Sequence, residues 1–155
     1  MSASKPKGGI KCLKPSKKSR YKQGYVNPDS LKKLFESQKN EPVIYRSSYE
    51  RKFIQWLERS PKVVGWGSEC ICINYVGADG ANHHYYPDYL VEFTDGRKVV
   101  FEIKPYNQTV RPDRSNQWAC SEYSKNVRKW KAAAEFCRRN GIEFQIITEK
   151  TIERL

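Results

Sequence analysis

Hydrophobic positions recur with a helical period in three segments of the chain. In "YRSSYERKFIQWLERSP", apolar residues stand at four, seven and eight positions after Tyr49, and Pro61 closes the segment. A longer helix is predicted in "WACSEYSKNVRKWKAAAEFCRRNG", where one apolar face runs the whole length and Asn-Gly ends the segment. A short helix, opened by Asp29 or Ser30, is predicted in "NPDSLKKLFESQKN".

The remaining apolar segments are typical of strands. One or two strands, broken at Gly65 and Gly67, are predicted in "KVVGWGSECICINYVG". A β-hairpin follows in "HHYYPDYLVEFTDGRKVVFEIKPY", and a last strand in "IEFQIITEK". The order helix, strands, hairpin, helix, strand predicts an α/β or α+β fold, with helices packed on a mixed sheet.

The turn of the hairpin decides which acids lie together. With a two-residue loop, Asp95-Gly96, the side chain of Asp88 would point to the face opposite Glu102. A three-residue loop, Thr94-Asp95-Gly96, needs glycine in its left-handed position and pairs Asp88 with Glu102 instead. We predict the three-residue loop, which brings the two carboxylates together.

Two carboxylates placed opposite each other repel unless a cation neutralises them. Oxygen ligands suit Mg²⁺ or Mn²⁺, and a metal-bound water is a nucleophile for a phosphodiester. Lys104, two residues after Glu102 on the same side of the strand, is predicted to bind the phosphate or handle a proton of that water. The alternative is that Glu102 and Lys104 form an exposed charged pair on a half-solvated strand.

Two further residues are candidates for this site. Glu50 lies on the core side of its predicted helix and is a candidate metal ligand, although Ser47-Ser48-Tyr49-Glu50 also fits a helix capping box. His84 is in phase with Asp88 by strand alternation and is a possible accessory residue. We expect Glu50, Asp88, Glu102 and Lys104 to form the catalytic set, with the three acids binding metal.

The charge of the chain indicates a polyanionic partner. The 155 residues include 29 Lys and Arg against 17 Asp and Glu, a formal net charge of +12. Nucleic acid is the leading candidate and an acidic membrane surface is second, because neutralised phosphates release counterions. We predict a basic arm over residues 1–28 and one folded domain over residues 29–155. The predicted DNA-binding residues are Lys14, Lys17, Lys18, Arg20, Lys22, Arg46, Lys125, Arg128 and Lys129.

Other partners and compartments are less favoured. The sequence contains no run of about 20 apolar residues, the length that a membrane-spanning helix needs. The N-terminus also lacks the apolar core of a signal peptide, so a cytoplasmic location is expected. Five cysteines, an odd number, favour reduced thiols. Zinc bound by Cys70, Cys72 and the two histidines is considered and disfavoured, because the CxC spacing is not that of structural zinc sites.

Four separated blocks resemble a known family. They are "KPSKKSRYKQG", "IYRSSYERKFIQWLERSPKVVGWGSECICINY", "HHYYPDYLVEFTDGRKVVFEIKP" and "NVRKWKAAAEFCRRNGIEFQIITEKTI". In this order they resemble the head-completion nucleases of contractile-tailed bacteriophages. More distantly, they resemble the nuclease domain of the TnsA transposase subunit, in the PD-(D/E)xK superfamily. The segment from Asn107 to Cys120 is shorter than the basic insertion associated with such proteins, so no DNA contacts are assigned to it.

The resemblance implies a restriction-endonuclease-like core, with metal ligands at Asp88 and Glu102, a catalytic lysine at Lys104 and an acidic helix residue at Glu50. It also implies action on double-stranded DNA late in virion assembly, in the host cytoplasm or in the virion, with phage head or portal components as partners. The rival hypothesis is a non-enzymatic protein that binds DNA ends or the portal. A repair or recombination nuclease is a third.

Overall fold

The fold is known from a computed structural model that describes residues 23–155. Its largest elements are two helices and a central sheet of four strands. The strands are β1 (Gly24–Val26), β2 (Val43–Tyr45), β3 (Val63–Ser68), β4 (Ile73–Val76), β5 (Asn82–Tyr85), β6 (Tyr89–Phe93), β7 (Lys98–Ile103) and β8 (Glu143–Ile147). The helices are α1 (Ser48–Arg59), α2 (Gln117–Arg139) and α3 (Glu149–Ile152).

The central sheet is mixed, with the strand order β3-β6-β7-β8. The pairs β3–β6 and β6–β7 are antiparallel, whereas β7–β8 is parallel. The parallel pair requires a crossover, which α2 supplies. Two small antiparallel pairs, β1–β2 and β4–β5, lie outside this sheet.

Helices cover both faces of the central sheet, so the core has two layers. On one face, α1 packs its Phe53 and Leu57 against Val91 and Phe101 of the sheet. On the other face, α2 and the β4–β5 hairpin pack against Leu90 and Val100. Odd and even positions of β6 and β7 thus enter different layers, as the strand period requires. The predicted α/β fold, a mixed sheet flanked by helices, is confirmed.

The turn between β6 and β7 is the predicted three-residue loop. Leu90 pairs with Val100 and Glu92 with Lys98, a register that leaves Thr94, Asp95 and Gly96 as the loop. Phe93 N donates to Arg97 O at 2.9 Å, and Gly96 has φ +89°. A glycine tolerates this left-handed conformation, so the register that brings Asp88 opposite Glu102 follows from the turn residues.

Two of the predicted elements are wrong. The short helix in residues 27–40 is replaced by two 3₁₀ turns, Pro28–Ser30 and Glu36–Gln38, and by an extended stretch between them. In that stretch the backbone bonds to β3 rather than to itself, because Trp66 N donates to Lys33 O at 3.0 Å. Strand β3 is not broken at its two glycines and instead carries an irregularity between Val63 and Gly65.

The predicted hairpin is also shorter than its sequence suggested. Residues 82–85 form β5, which pairs with β4 rather than continuing into β6. Tyr86, Pro87 and Asp88 separate the two strands, and proline cannot donate to a ladder. Residues 24–26 of the predicted arm pair with β2, and residues 1–22 lie outside the part described. Among residues 23–155, no helix is long and apolar enough to cross a membrane.

Candidate metal centre

Asp88 and Glu102 hold each other across the open end of the β6–β7 hairpin. Asp88 N donates to Glu102 Oε2 at 3.2 Å, and Ile103 N donates to Asp88 Oδ2 at 2.8 Å. Each acid thus accepts a hydrogen bond from the backbone of the opposite strand. Glu102 is only 5% exposed and Asp88 is partly buried. The structure therefore brings the two predicted acids together as a rigid, largely desolvated pair.

Lys104 completes the group on the same strand. Its Nζ lies 3.8 Å from Glu102 Oε1, and about a quarter of its side chain is exposed. Lys104 N donates to Ile147 O at 3.0 Å, so the neighbouring parallel strand fixes its backbone. The ammonium group therefore lies beside the carboxylates and still reaches solvent.

Glu50 lies in the first turn of α1 and approaches the two carboxylates from the layer that contains this helix. Ser47 caps this helix by accepting from Glu50 N at 3.1 Å. The Glu50 carboxylate does not return to the Ser47 amide, as a regular capping box would have it, but accepts from Arg46 N at 2.5 Å. One Glu50 oxygen is thus used by the backbone, and the carboxylate is 9% exposed and within electrostatic range of Asp88.

The three carboxyl groups share raised pKa values. Burial raises the pKa of Asp88 well above its usual range, and the charges of Glu102 and Glu50 add to this. Burial also raises the pKa of Glu102, although Lys104 opposes the shift. Burial raises the pKa of Glu50 to about 7, against the hydrogen bond from Arg46 N. Groups that resist ionisation in this way favour either bound protons or a bound cation.

Glu69 is a neighbour of this group that the sequence did not indicate. Its carboxylate pairs with the Arg46 guanidinium at 2.5 Å, and its N donates to Asp88 O at 2.9 Å. Glu69 has φ +48°, a left-handed conformation that is uncommon for residues other than glycine. No local sequence feature predicts it, because the conformation results from the connection between β3 and β4.

Tyr85 and Lys129 also lie nearer the carboxylates than the sequence suggested. The Tyr85 hydroxyl is buried close to Glu102, and burial, with the charge of Glu102, raises the pKa of Tyr85. The Lys129 ammonium lies 5.5 Å from the centre of the Tyr85 ring. Burial lowers the pKa of Lys129, and repulsion from Lys125 and Lys104 adds to the shift.

The other predicted site residues lie in different places. His84 is not brought to the carboxylates, because β5 belongs to another hairpin, and its ring contacts Asn74 Oδ1 at 2.8 Å and Cys72 Sγ at 3.5 Å. Lys125, Arg128 and Lys129 line a cavity of about 600 Å³ between α2 and that hairpin.

Arg46, another predicted DNA-binding residue, lies beside the carboxylates and is paired with Glu69. The predicted DNA-binding residues of the N-terminal arm lie outside the described residues; they are Lys14, Lys17, Lys18, Arg20 and Lys22.

The donors fit a hard divalent cation better than a soft one. Within residues 23–155, no three His, Cys, Asp or Glu side chains converge into a complete metal cage. Mg²⁺ does not require one, because it is commonly held by one or two carboxylates and keeps several waters. Asp88 Oδ1 receives no hydrogen bond from any described residue, and the buried pair has excess negative potential. Asp88 and Glu102, with Glu50 beside them, are therefore suitable ligands.

Comparison of the sequence with known protein families agrees with this geometry, in which acids and a lysine lie at one end of a mixed sheet. Residues 60–149 match the family described as TnsA-like endonuclease N terminal. This is more than half of the chain, and the protein belongs to that family. The matched segment contains Asp88, Glu102 and Lys104, whereas Glu50 precedes it.

Comparison with an individual protein gives a more specific relationship than the family match. The chain is 33% identical to the head completion nuclease of Enterobacteria phage T4, in an alignment covering 73% of this chain and 83% of the relative. The predicted relationship to phage head-completion nucleases is therefore confirmed, together with the restriction-endonuclease-like fold class.

Proposed function

We propose that the protein is a metal-dependent DNA endonuclease that acts in phage head completion, after DNA has been packaged. The observation that carries the proposal is the interlocked pair of Asp88 and Glu102 with Lys104 beside it. Membership of an endonuclease family and the similarity to the phage T4 protein support the same activity.

In this proposal, Asp88 and Glu102 hold Mg²⁺ or Mn²⁺, and Glu50 acts as a further ligand or through a bound water. When bound, the cation lowers the pKa of a coordinated water and withdraws charge from the phosphate. Lys104 binds the scissile phosphate and stabilises its negative charge as the P–O bond breaks. The buried surroundings strengthen each of these interactions, because they exclude competing water.

DNA is held through its phosphates in this proposal. The net charge of +12 supplies long-range attraction, and α2 presents Lys125 and Arg128 beside the cavity that it shares with the β4–β5 hairpin. The basic arm, Lys14 to Lys22, adds contacts along the duplex. Binding of this kind depends strongly on salt and little on base sequence.

The test is a cleavage assay on linear and supercoiled DNA, with Mg²⁺, with Mn²⁺ and with a chelator. We expect cleavage that requires metal and that falls by about 10²–10⁴-fold in Lys104→Ala and Glu102→Gln. The hairpin supplies matched controls, because Glu92 and Lys98 form an exposed acid–lysine pair, 3.6 Å apart, at its other end. Lys98→Ala and Glu92→Gln should cut as the parent protein does.

A second readout is independent of activity. Mg²⁺ should raise the melting temperature of the parent protein at neutral pH, because it binds the folded state selectively, and should not raise that of Glu102→Gln. Cleavage that survives both site substitutions, or needs no metal, contradicts the proposal. DNA binding without metal stabilisation or cleavage would instead support the non-enzymatic DNA-end or portal-binding protein.

A further inference from the structure

An ordered cavity adjoins the candidate metal centre. Its volume is about 320 Å³, and Lys104 forms part of its wall together with the loop after β7 and the first turns of α2. The loop is well fixed, since Tyr106 N donates to Glu149 Oε2 at 2.8 Å and Asn116 caps α2 by accepting from Ala119 N. The cavity is therefore present before any ligand binds.

Trp118 is the exceptional side chain of this wall. It is 75% exposed, the most exposed large hydrophobic residue among those described, whereas Trp66 is fully buried. Val110, on the same wall, is also exposed. An indole held in water at the entrance of a cavity is a flat surface for another ring, and its exposure has no structural benefit within the described domain.

Cations outnumber acids in the walls of this cavity and of the adjoining one, where Glu122 is the acid. Arg111 and Arg114, from the same loop, line an adjoining cavity of about 650 Å³ together with Arg128 and Lys131 of α2. Lys129 lies in the wall that contains Lys104 and Trp118. The segment Asn107–Cys120, to which the sequence assigned no DNA contacts, thus carries an exposed ring in the cavity that contains Lys104, and two arginines in the adjoining cavity.

We propose that this cavity receives an unpaired nucleotide of the DNA substrate, with its base stacked on Trp118. An aromatic ring flanked by cations is the arrangement by which proteins bind single strands without reading their sequence. Because Lys104 is shared with the metal centre, the stacked base belongs to a nucleotide next to the scissile phosphate. The inference rests on the proposed nuclease function and specifies its substrate class: DNA with a frayed or single-stranded end.

Binding is tested first without metal, so that the result does not depend on cleavage. The protein in chelator is titrated with a short duplex that carries a single-stranded tail, and with the same duplex closed at both ends by non-nucleotide linkers. We expect tailed DNA to quench tryptophan fluorescence, and the quenching to disappear in Trp118→Phe although binding, measured by anisotropy of a dye on the duplex, is retained. Trp118→Leu and Trp118→Ala should bind tailed DNA about 5- to 150-fold more weakly, with the closed duplex unaffected.

A matched control is Tyr25→Ala, which removes an exposed aromatic from a different cavity, formed by β1, β2 and α1. It should bind both DNAs as the parent protein does. The proposal is overturned if Trp118→Leu binds tailed DNA as tightly as the parent protein, or if its affinity for both DNAs falls equally. The first result would favour a protein partner for the exposed indole.

Cleavage then separates this inference from the proposed function. With metal, the parent protein should cut tailed DNA faster than the closed duplex, and Trp118→Ala should lose that preference. Equal cutting of both DNAs by the parent contradicts the unpaired-nucleotide site but leaves the nuclease function intact. Absence of any cleavage contradicts the nuclease function, whereas the binding measurements still decide the stacking site.

Discussion

The two ends of helix α1 each carry a glutamate that points into the protein, and their surroundings differ. Near the C-terminal end, Glu58 accepts hydrogen bonds from Lys32 N, Lys33 N and the Trp66 indole at 2.6, 3.0 and 2.8 Å. At the N-terminal end, Glu50 has one backbone donor, Arg46 N, and its charged neighbours are Arg46 and the acids Glu69 and Glu102. A carboxylate whose hydrogen bonds are complete stabilises the fold, whereas one that is incompletely satisfied is free to bind something else.

The largest expected difference concerns activity. Glu50→Gln should reduce metal-dependent cleavage by about 10²-fold or more, because the neutral amide binds a cation poorly while it still accepts from Arg46 N. Glu58→Gln should leave the cleavage rate per folded molecule unchanged. Both are measured as initial rates, with the folded fraction determined by circular dichroism. Equal losses would show that Glu50 acts only through the fold.

The second prediction concerns stability, for which Glu58 is expected to matter more than Glu50. Glu58→Ala should lower the free energy of unfolding by about 3 kcal/mol, because it leaves two amides and a buried indole N–H without their acceptor. Glu36→Ala is the matched control: its ion pair with Lys39 is exposed, so a change below about 0.5 kcal/mol is expected. Urea denaturation measures both. A small effect at Glu58 would mean that water replaces the carboxylate.

The third prediction is a pH dependence of stability without metal. Burial raises the pKa of Glu50 to about 7 in the folded protein, so the folded state keeps a proton that the unfolded state loses from about pH 4.5 upwards. The contribution of Glu50 to stability is therefore largest below pH 4.5 and falls until about pH 7, by about 3 kcal/mol. Glu50→Gln should flatten the curve, Glu58→Gln should not, and saturating Mg²⁺ should oppose the fall. Parallel curves for parent and Glu50→Gln would contradict the assignment.

The smallest expected effect concerns the strained neighbour of Glu50. At φ +48°, glycine is tolerated better than alanine, so Glu69→Gly should be more stable than Glu69→Ala by about 1 kcal/mol. Both variants lose the ion pair with Arg46, which cancels in the comparison. Thermal denaturation of the two proteins side by side measures the difference. Equal stability would mean that the backbone relaxes when the side chain is removed.

Local rules predicted most of the site, and tertiary contacts decided the rest. The Thr94–Gly96 turn fixes the hairpin register, and the register brings Asp88 to Glu102, so this pair could be predicted from the sequence. The contacts of Glu58 and Glu69 could not, because their partners come from segments that are distant in sequence or from a backbone shape with no residue preference. His84 was misplaced because alternation was extended through Pro87, where the strand ends.

The short segment before β2 teaches the same point. Its apolar spacing fits a helix, yet Lys32 N and Lys33 N bond to Glu58 and Phe35 N donates to Trp66 O. These amides would otherwise have bonded within a helix. Tertiary partners thus replaced an intrinsic preference that is weak over so few residues.

The parallel pairing of β7 with β8 bears on the order of events during synthesis. The amide of Lys104 donates to the carbonyl of Ile147 in β8, and the whole of helix α2 lies between these two residues in the chain. Such distant pairings form late, because the loop must close first. A nascent chain that has emerged only as far as α2 already contains every acid of the site but has no strand to hold the lysine in position. We expect the proposed site to be completed near the end of folding, once β8 has paired with β7.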